Sequence, residues 1–111
     1  MLKLHNSYSN NVEEFKLDSN NVKVYLCGPT VQSSPHIGHG RSAVVFDFLI
    51  RYLQFSDYQV TFVRNITDIE DKIIQRSEEE GITTEELAER VTKEFQKSYS
   101  DLNCLMPNYE P

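Results

Sequence analysis

The hydrophobic period changes twice between residues 22 and 65, and that constrains the fold more than any other feature. Val22-Lys23-Val24-Tyr25-Leu26-Cys27 alternates, with Val22, Val24 and Leu26 on one side, as a half-buried strand does. Gly28-Pro29 stops it, and the chain runs as a loop to Pro35. From about His36 the period becomes helical. Val45, Phe48, Leu49, Tyr52 and Leu53 follow the i, i+3, i+4, i+7, i+8 template. Val44, Phe46 and Ile50 widen that stripe, so burial is expected around much of the helix, while Gly40, Asp47, Arg51 and Gln54 lie opposite. Phe55-Ser56-Asp57 ends the run, and Gln59 to Asn65 is a second strand. Strand, helix, strand at this spacing is a βαβ unit, with parallel strands and a right-handed crossover.

The flanks are simpler. Leu2 to Asn6 and Val12 to Leu17 surround the turn-rich Ser7-Tyr8-Ser9-Asn10-Asn11, which reads as a β-hairpin. After the second strand, Asp68 to about Glu80 is a helix with an acidic start, closed by Gly81. Thr67 and Asp68 are good N-caps for it. Thr83 and Glu86 have capping-box spacing ahead of a long helix whose stripe is Leu87, Val91, Phe95, Tyr99 and Leu102. The fold class expected is therefore α/β: a hairpin and loop over 1–21, an incomplete parallel βαβ core over 22–67, and a helical segment over 68–111. Two strands are few for a parallel sheet, so the sequence looks like the start of a larger protein.

Composition narrows the partners. With 39% hydrophobic and 25% charged residues, the 111-residue chain is globular in character. No stretch approaches the roughly 20 apolar residues of a membrane span, and the N-terminus lacks the apolar core of a secretory signal. Two distant cysteines, Cys27 and Cys104, fit a reducing cytosol rather than a disulfide framework. A net charge of −6 suits poorly a broad grip on nucleic acid, so any RNA contact would be local or lie elsewhere.

Ligands of open parallel sheets bind beyond the C-terminal strand ends. Cys27 ends one strand, Asn65-Ile66-Thr67-Asp68 ends the other, and His36-Ile37-Gly38-His39 opens the helix between them. Free N–H groups at a helix start attract phosphate. Gly38 and Gly40 allow close approach, and His36 and His39 can donate to developing negative charge. Cys27, His36 and His39 could instead ligate a metal, but C-x8-H-x2-H matches no standard zinc spacing. Plainer roles stay open too: a packed cysteine at a strand end, histidines that only pack the helix start, and caps at Thr67 and Asp68. Cys104 and His5 are assigned no chemistry.

Taken together, Cys27-Gly28-Pro29-Thr30-Val31, His36-Ile37-Gly38-His39, Arg41 to Asp47 and Val63-Arg64-Asn65-Ile66-Thr67-Asp68-Ile69-Glu70-Asp71-Lys72-Ile73-Ile74 resemble the cysteinyl-tRNA synthetase family of class I, and Glu13-Glu14-Phe15-Lys16 resembles its N-terminal hairpin. The resemblance implies a Rossmann-like catalytic domain. It implies ATP-dependent activation of cysteine to cysteinyl-adenylate and transfer to tRNA(Cys), in the cytoplasm, with magnesium accompanying ATP. It makes Cys27 a ligand of a zinc that takes the substrate thiolate, a soft-donor choice that serine cannot match. It places Thr30, His36, Gly38 and His39 at ATP, with His36 and His39 catalytic and Gly38 against adenine. Gly28 and Thr67 fall at the amino-acid substrate. Where the family often has Tyr-Asp, this chain has Gln32-Ser33. The other zinc ligands, the Lys-Met-Ser-Lys-Ser loop and the anticodon-binding domain are expected beyond Pro111, and residues 1–111 alone are expected to be inactive. Two alternatives share parts of the pattern: a mycothiol-pathway ligase joining cysteine to an amino sugar, and a non-catalytic adenine-nucleotide-binding module.

Overall fold

The structure is a computed structural model describing residues 1–111. Its elements are β1 (Lys3–Asn6), β2 (Asn11–Glu14), β3 (Asn21–Leu26), α1 (Ile37–Phe55), β4 (Gln59–Arg64), α2 (Asp71–Glu80) and α3 (Thr84–Asp101). β1 and β2 form the antiparallel hairpin, with Asn6 opposite Asn11 and Asn10 at φ 56° in the turn. The hairpin packs on no other element of secondary structure. Phe15, just after it, meets Tyr58 edge to face at 5.8 Å. The chain is accordingly elongated: its radius of gyration is 16.5 Å, against about 13 Å for a compact domain of this length.

β3 and β4 pair in parallel across the α1 crossover, with Val22 opposite Val60, Val24 opposite Phe62 and Leu26 opposite Arg64. Those six residues share one sheet face, the face α1 packs against. The sheet is wider than two strands. After α3 the chain returns beside β4, where the Arg64 N–H donates to the Tyr109 carbonyl and the Ile66 N–H to the Pro111 carbonyl. Val63 and Tyr109 form a parallel bridge. Segment 108–111 is thus a third, short parallel row, reached by a second crossover through α2 and α3. Its four residues, one of them Pro111, carry no periodic signal. α1 and α3 touch, as two crossover helices on the same face of a sheet do.

The main core lies between the helices and the loop after β3. Val31, Ile73, Leu87, Val91 and Phe95 are almost fully buried there. The α3 stripe thus packs as its spacing predicts from Leu87 to Tyr99. Leu102, its last member, is the helix C-cap and is exposed. Thr83 and Glu86 form the reciprocal capping box, and Gly81 closes α2 at φ 68°. No helix is long and apolar enough to cross a membrane.

Two expectations are corrected. The N-cap of α2 is Glu70, whose carboxylate accepts from the Lys72 N–H, and neither Thr67 nor Asp68 caps it. The Thr67 backbone is committed to the neighbouring loop, which holds it extended. α1 is also rotated relative to its apolar stripe. Ala43, Ile50 and Leu53 are buried, whereas Val45 is 55% and Phe48 71% exposed. Asp47 and Arg51, on the polar side, bind the chain after α3: Asp47 accepts from the Leu105 N–H and the exposed Arg51 donates to the Asn103 carbonyl. These bonds, with Leu102 packed close to Gly40, set the rotation.

This packing separates two substitutions. Phe95→Ala is expected to cost about 3–5 kcal/mol, because the ring is buried between α3 and the helix start. Phe48→Ser is expected to change stability by no more than about 0.5 kcal/mol. Urea unfolding of the 111-residue chain followed by circular dichroism reads both; a large loss in Phe48→Ser would mean that α1 sits with its apolar stripe inward.

Candidate active site

The site is built by the two loops that follow β3 and β4. The Gly28 N–H donates to the Asn65 side-chain carbonyl at 2.7 Å. Beyond it the Thr67 N–H donates to the Pro29 carbonyl at 3.0 Å, and the Val31 N–H to the Thr67 carbonyl at 3.1 Å. Thr30 and Thr67 therefore form a parallel bridge past the ends of the strands. Gly28 is required by contact: a Cβ there would lie 1.7 Å from the Asn65 backbone oxygen. The Asn65 amide also reaches Thr67 Oγ1 at 3.4 Å.

α1 begins above this shelf with a pair of histidines in a closed arrangement. His36 is the N-cap, and its Nδ1 accepts from the Gly38 N–H at 3.1 Å. His39 Nδ1 accepts from the His36 N–H at 3.1 Å. The rings lie 3.9 Å apart between centroids, and His39 meets Phe95 edge-on at 4.8 Å. With both Nδ1 atoms accepting, each neutral ring carries its proton on Nε2. Two N–H donors thus point away from the backbone they cap. Burial, and then the neighbouring His36, push the His39 imidazole below the usual histidine range. The Gly38 position lets the His36 ring fold back: a Cβ would come within 2.9 Å of it.

A cavity of about 300 Å³ opens between shelf and helix, lined by Cys27, Gly28, Thr30, Gln32, His39 and Arg64 among its eleven residues. The structure brings Cys27, Gly28, Thr30 and His39 to this cavity. His36 and Gly38 are exposed at its rim, where His36 lines an adjoining groove. Thr67 is half-buried and reaches the site through its bridge to Thr30. Cys27 is an exposed free thiol. No three His, Cys, Asp or Glu side chains cluster as metal ligands, so Cys27, His36 and His39 do not make a local zinc site.

The family model described as "tRNA synthetases class I (C) catalytic domain" matches residues 13–111. The chain belongs to that family. It is 50% identical over 111 residues to a cysteine–tRNA ligase of Maridesulfovibrio salexigens, covering 99% of this chain and 23% of the relative. Against the corresponding ligase of Rickettsia massiliae it is 50% identical, with coverage of 97% and 24%. Against that of Shewanella woodyi it is 47% identical, with coverage of 100% and 24%. The chain thus spans about a quarter of the length of these ligases. The fold is also similar to the crystal structure of Mycobacterium tuberculosis methionyl-tRNA synthetase bound by methionyl-adenylate. The TM-score is 0.71 at 24% identity, over 80% of this chain and 17% of that one.

Sequence reasoning left three cavity or shelf residues without a role. Asn65 was visible only as a polar residue at a strand end. Tyr99 was read as core, and it is core, but it also lines the cavity. Arg64 had a usable signal: period two places it on the same face as Phe62, and both are buried. The Arg64 guanidinium pairs with Glu110 at 3.0 Å and stands 4.2 Å from the Tyr99 ring centre.

Two predictions follow from the shelf and the histidines. Gly28→Ala is expected to cost about 3 kcal/mol, the upper range for overpacking, read as a lowered urea midpoint; an unchanged midpoint would mean the two loops are not joined there. For His39 the folded state disfavours the proton. Its contribution to stability is therefore full above the unfolded histidine value of about 6.5 and is lost as pH falls through the lower folded value. Unfolding midpoints measured between pH 7.5 and 5 are expected to fall with pH, and to fall less steeply in His39→Gln.

Proposed function

We propose that this chain forms the amino-acid- and ATP-handling part of a cysteine–tRNA ligase, which activates cysteine with ATP and transfers it to tRNA(Cys). The observation that carries the reading is the joined pair of strand-end loops: Cys27, Thr30 and His39 line one cavity at the start of α1, and Thr67 is bridged to Thr30 beside it. The family and the ligase names of the relatives support the same chemistry.

In the activation step a carboxylate oxygen of cysteine attacks the α-phosphorus of ATP. A carbon–oxygen–phosphorus linkage forms, the α–β phosphoanhydride breaks, and pyrophosphate leaves with magnesium. No side chain here acts as a nucleophile, so the chain's part is positioning and charge stabilisation. The Nε2–H groups of His36 and His39 donate to phosphate oxygens as negative charge builds on them. Neutral rings serve this role without giving up the caps that orient them. Gly38 leaves the backbone open to the flat adenine. Gly28 and Thr30 line the side where the amino acid enters, with Thr67 bridged behind Thr30.

Cys27 is assigned as one thiolate donor to a zinc whose remaining ligands come from residues outside 1–111. Such an ion would prefer the soft thiolate of cysteine to the hydroxyl of serine.

ATP–pyrophosphate exchange tests the reading. The complete gene product, supplied with zinc, is expected to exchange with cysteine and not with serine, while residues 1–111 alone show no exchange. Absence of cysteine-dependent exchange in the complete product would sink the assignment. Cys27→Ser in that product is expected to lower bound zinc, measured by elemental analysis, and to weaken cysteine binding. Unchanged zinc content would remove Cys27 from the metal site.

A further inference from the structure

The cavity wall carries one fixed positive charge, and a single carboxylate pairs with it. Arg64 is 3% exposed and lines the cavity wall. One of its terminal nitrogens, Nη2, pairs with Glu110 at 3.0 Å. Its Nε has no hydrogen-bond partner, but it is closed off from solvent and therefore from the cavity as well. Buried charged donors are rarely left so, because a buried charge needs several partners to offset its lost hydration. Glu110 is shared, since its other oxygen accepts from Gln96 at 2.7 Å. The cavity offers no anion of its own: no carboxylate is among its eleven lining residues. His39, the histidine on the wall, is held towards its neutral form.

The side chain is also pre-set. Tyr99 lies under the guanidinium at 4.2 Å, and the Arg64 Cγ would be 3.0 Å from a Cβ on Gly28. The stem therefore runs beneath the turn that carries Cys27. An arginine held this way loses little entropy when it takes an acceptor.

We propose that Arg64 is the oxyanion anchor of this cavity, holding a negatively charged oxygen of the bound ligand beside Cys27. The ligand class is a carboxylate or a phosphate. Within the ligase reading, on which this rests, the two sources are the amino-acid carboxylate and the phosphates of ATP.

Paired ligands separate the sources. Dissociation constants are measured by calorimetry on the complete gene product, as wild type, Arg64→Gln and Arg64→Lys. The ligands are cysteine and cysteamine, which lacks the carboxylate, and ATP and adenosine, which lacks the phosphates. Arg64→Gln is expected to weaken cysteine about tenfold or more and leave cysteamine unchanged, with Arg64→Lys recovering part of the loss. That result assigns the anchor to the carboxylate. A loss confined to ATP over adenosine assigns it to phosphate. Equal losses within both pairs, or no loss in either, would overturn the proposal and leave Arg64 a packing residue. If the wild type binds ATP but not cysteine, the ligase reading fails, while the ATP and adenosine pair still reports on the anchor.

Discussion

Three hydrogen bonds beyond the ends of β3 and β4 hold the rest of the site in place. A parallel pair ordinarily ends where its strands diverge. Here the loops continue the pairing, through Gly28 to Asn65, Thr67 to Pro29 and Val31 to Thr67. Pro29 has no N–H to give, so its carbonyl is the only backbone group it can contribute, and that carbonyl is used. The join places Cys27 at the edge of the shelf and buries Val31 completely in the helical core. It also fixes where the loop must rise to Pro35 and begin α1. Gly28 is the one position on the shelf where any side chain would strike backbone.

The same join accounts for the misplaced cap of α2. Thr67 and Asp68 have the right chemistry and stand in the right place along the chain. A capping residue, however, must be free to orient towards the helix that follows it. Thr67 has both its N–H and its carbonyl tied to the opposite loop. The helix therefore starts later, with Glu70 taking the capping role. A local preference yielded to two longer-range hydrogen bonds, a trade that single-sequence reasoning has no means to weigh.

Where local chemistry acts alone, the sequence was legible. The strand–helix–strand period, the Thr83 and Glu86 capping box, Gly81 and the α3 stripe up to Tyr99 all depend on near neighbours along the chain. The convergence of Cys27 and His39 on one edge was legible too, since it follows from parallel topology. The face of α1 was not. Its rotation is set by Asp47 and Arg51 binding the backbone of residues 103–105, contacts more than fifty positions away along the chain. Segment 108–111 was missed for a related reason. Four residues are too few to show a period, and their pairing is with β4 rather than with each other.

The distribution of charge resolves an apparent conflict between an acidic chain and the anion site proposed for it. Much of the acidity lies on the outward faces of α2 and α3, where it is partly met locally. Glu80 takes both Arg76 and Arg90, and Glu89 takes Lys93. Such exposed pairs add little to stability, but they leave fewer cations on those surfaces to attract a polyanion. At the cavity the arrangement is reversed. Carboxylates are absent from its wall, Glu110 stands behind Arg64, and His39 on the wall and His36 at the rim have their Nδ1 atoms engaged in capping the helix. A field of this kind is short-ranged because the surrounding surface has the opposite sign. It suits a small anionic ligand enclosed by the cavity more than a nucleic acid laid across the surface.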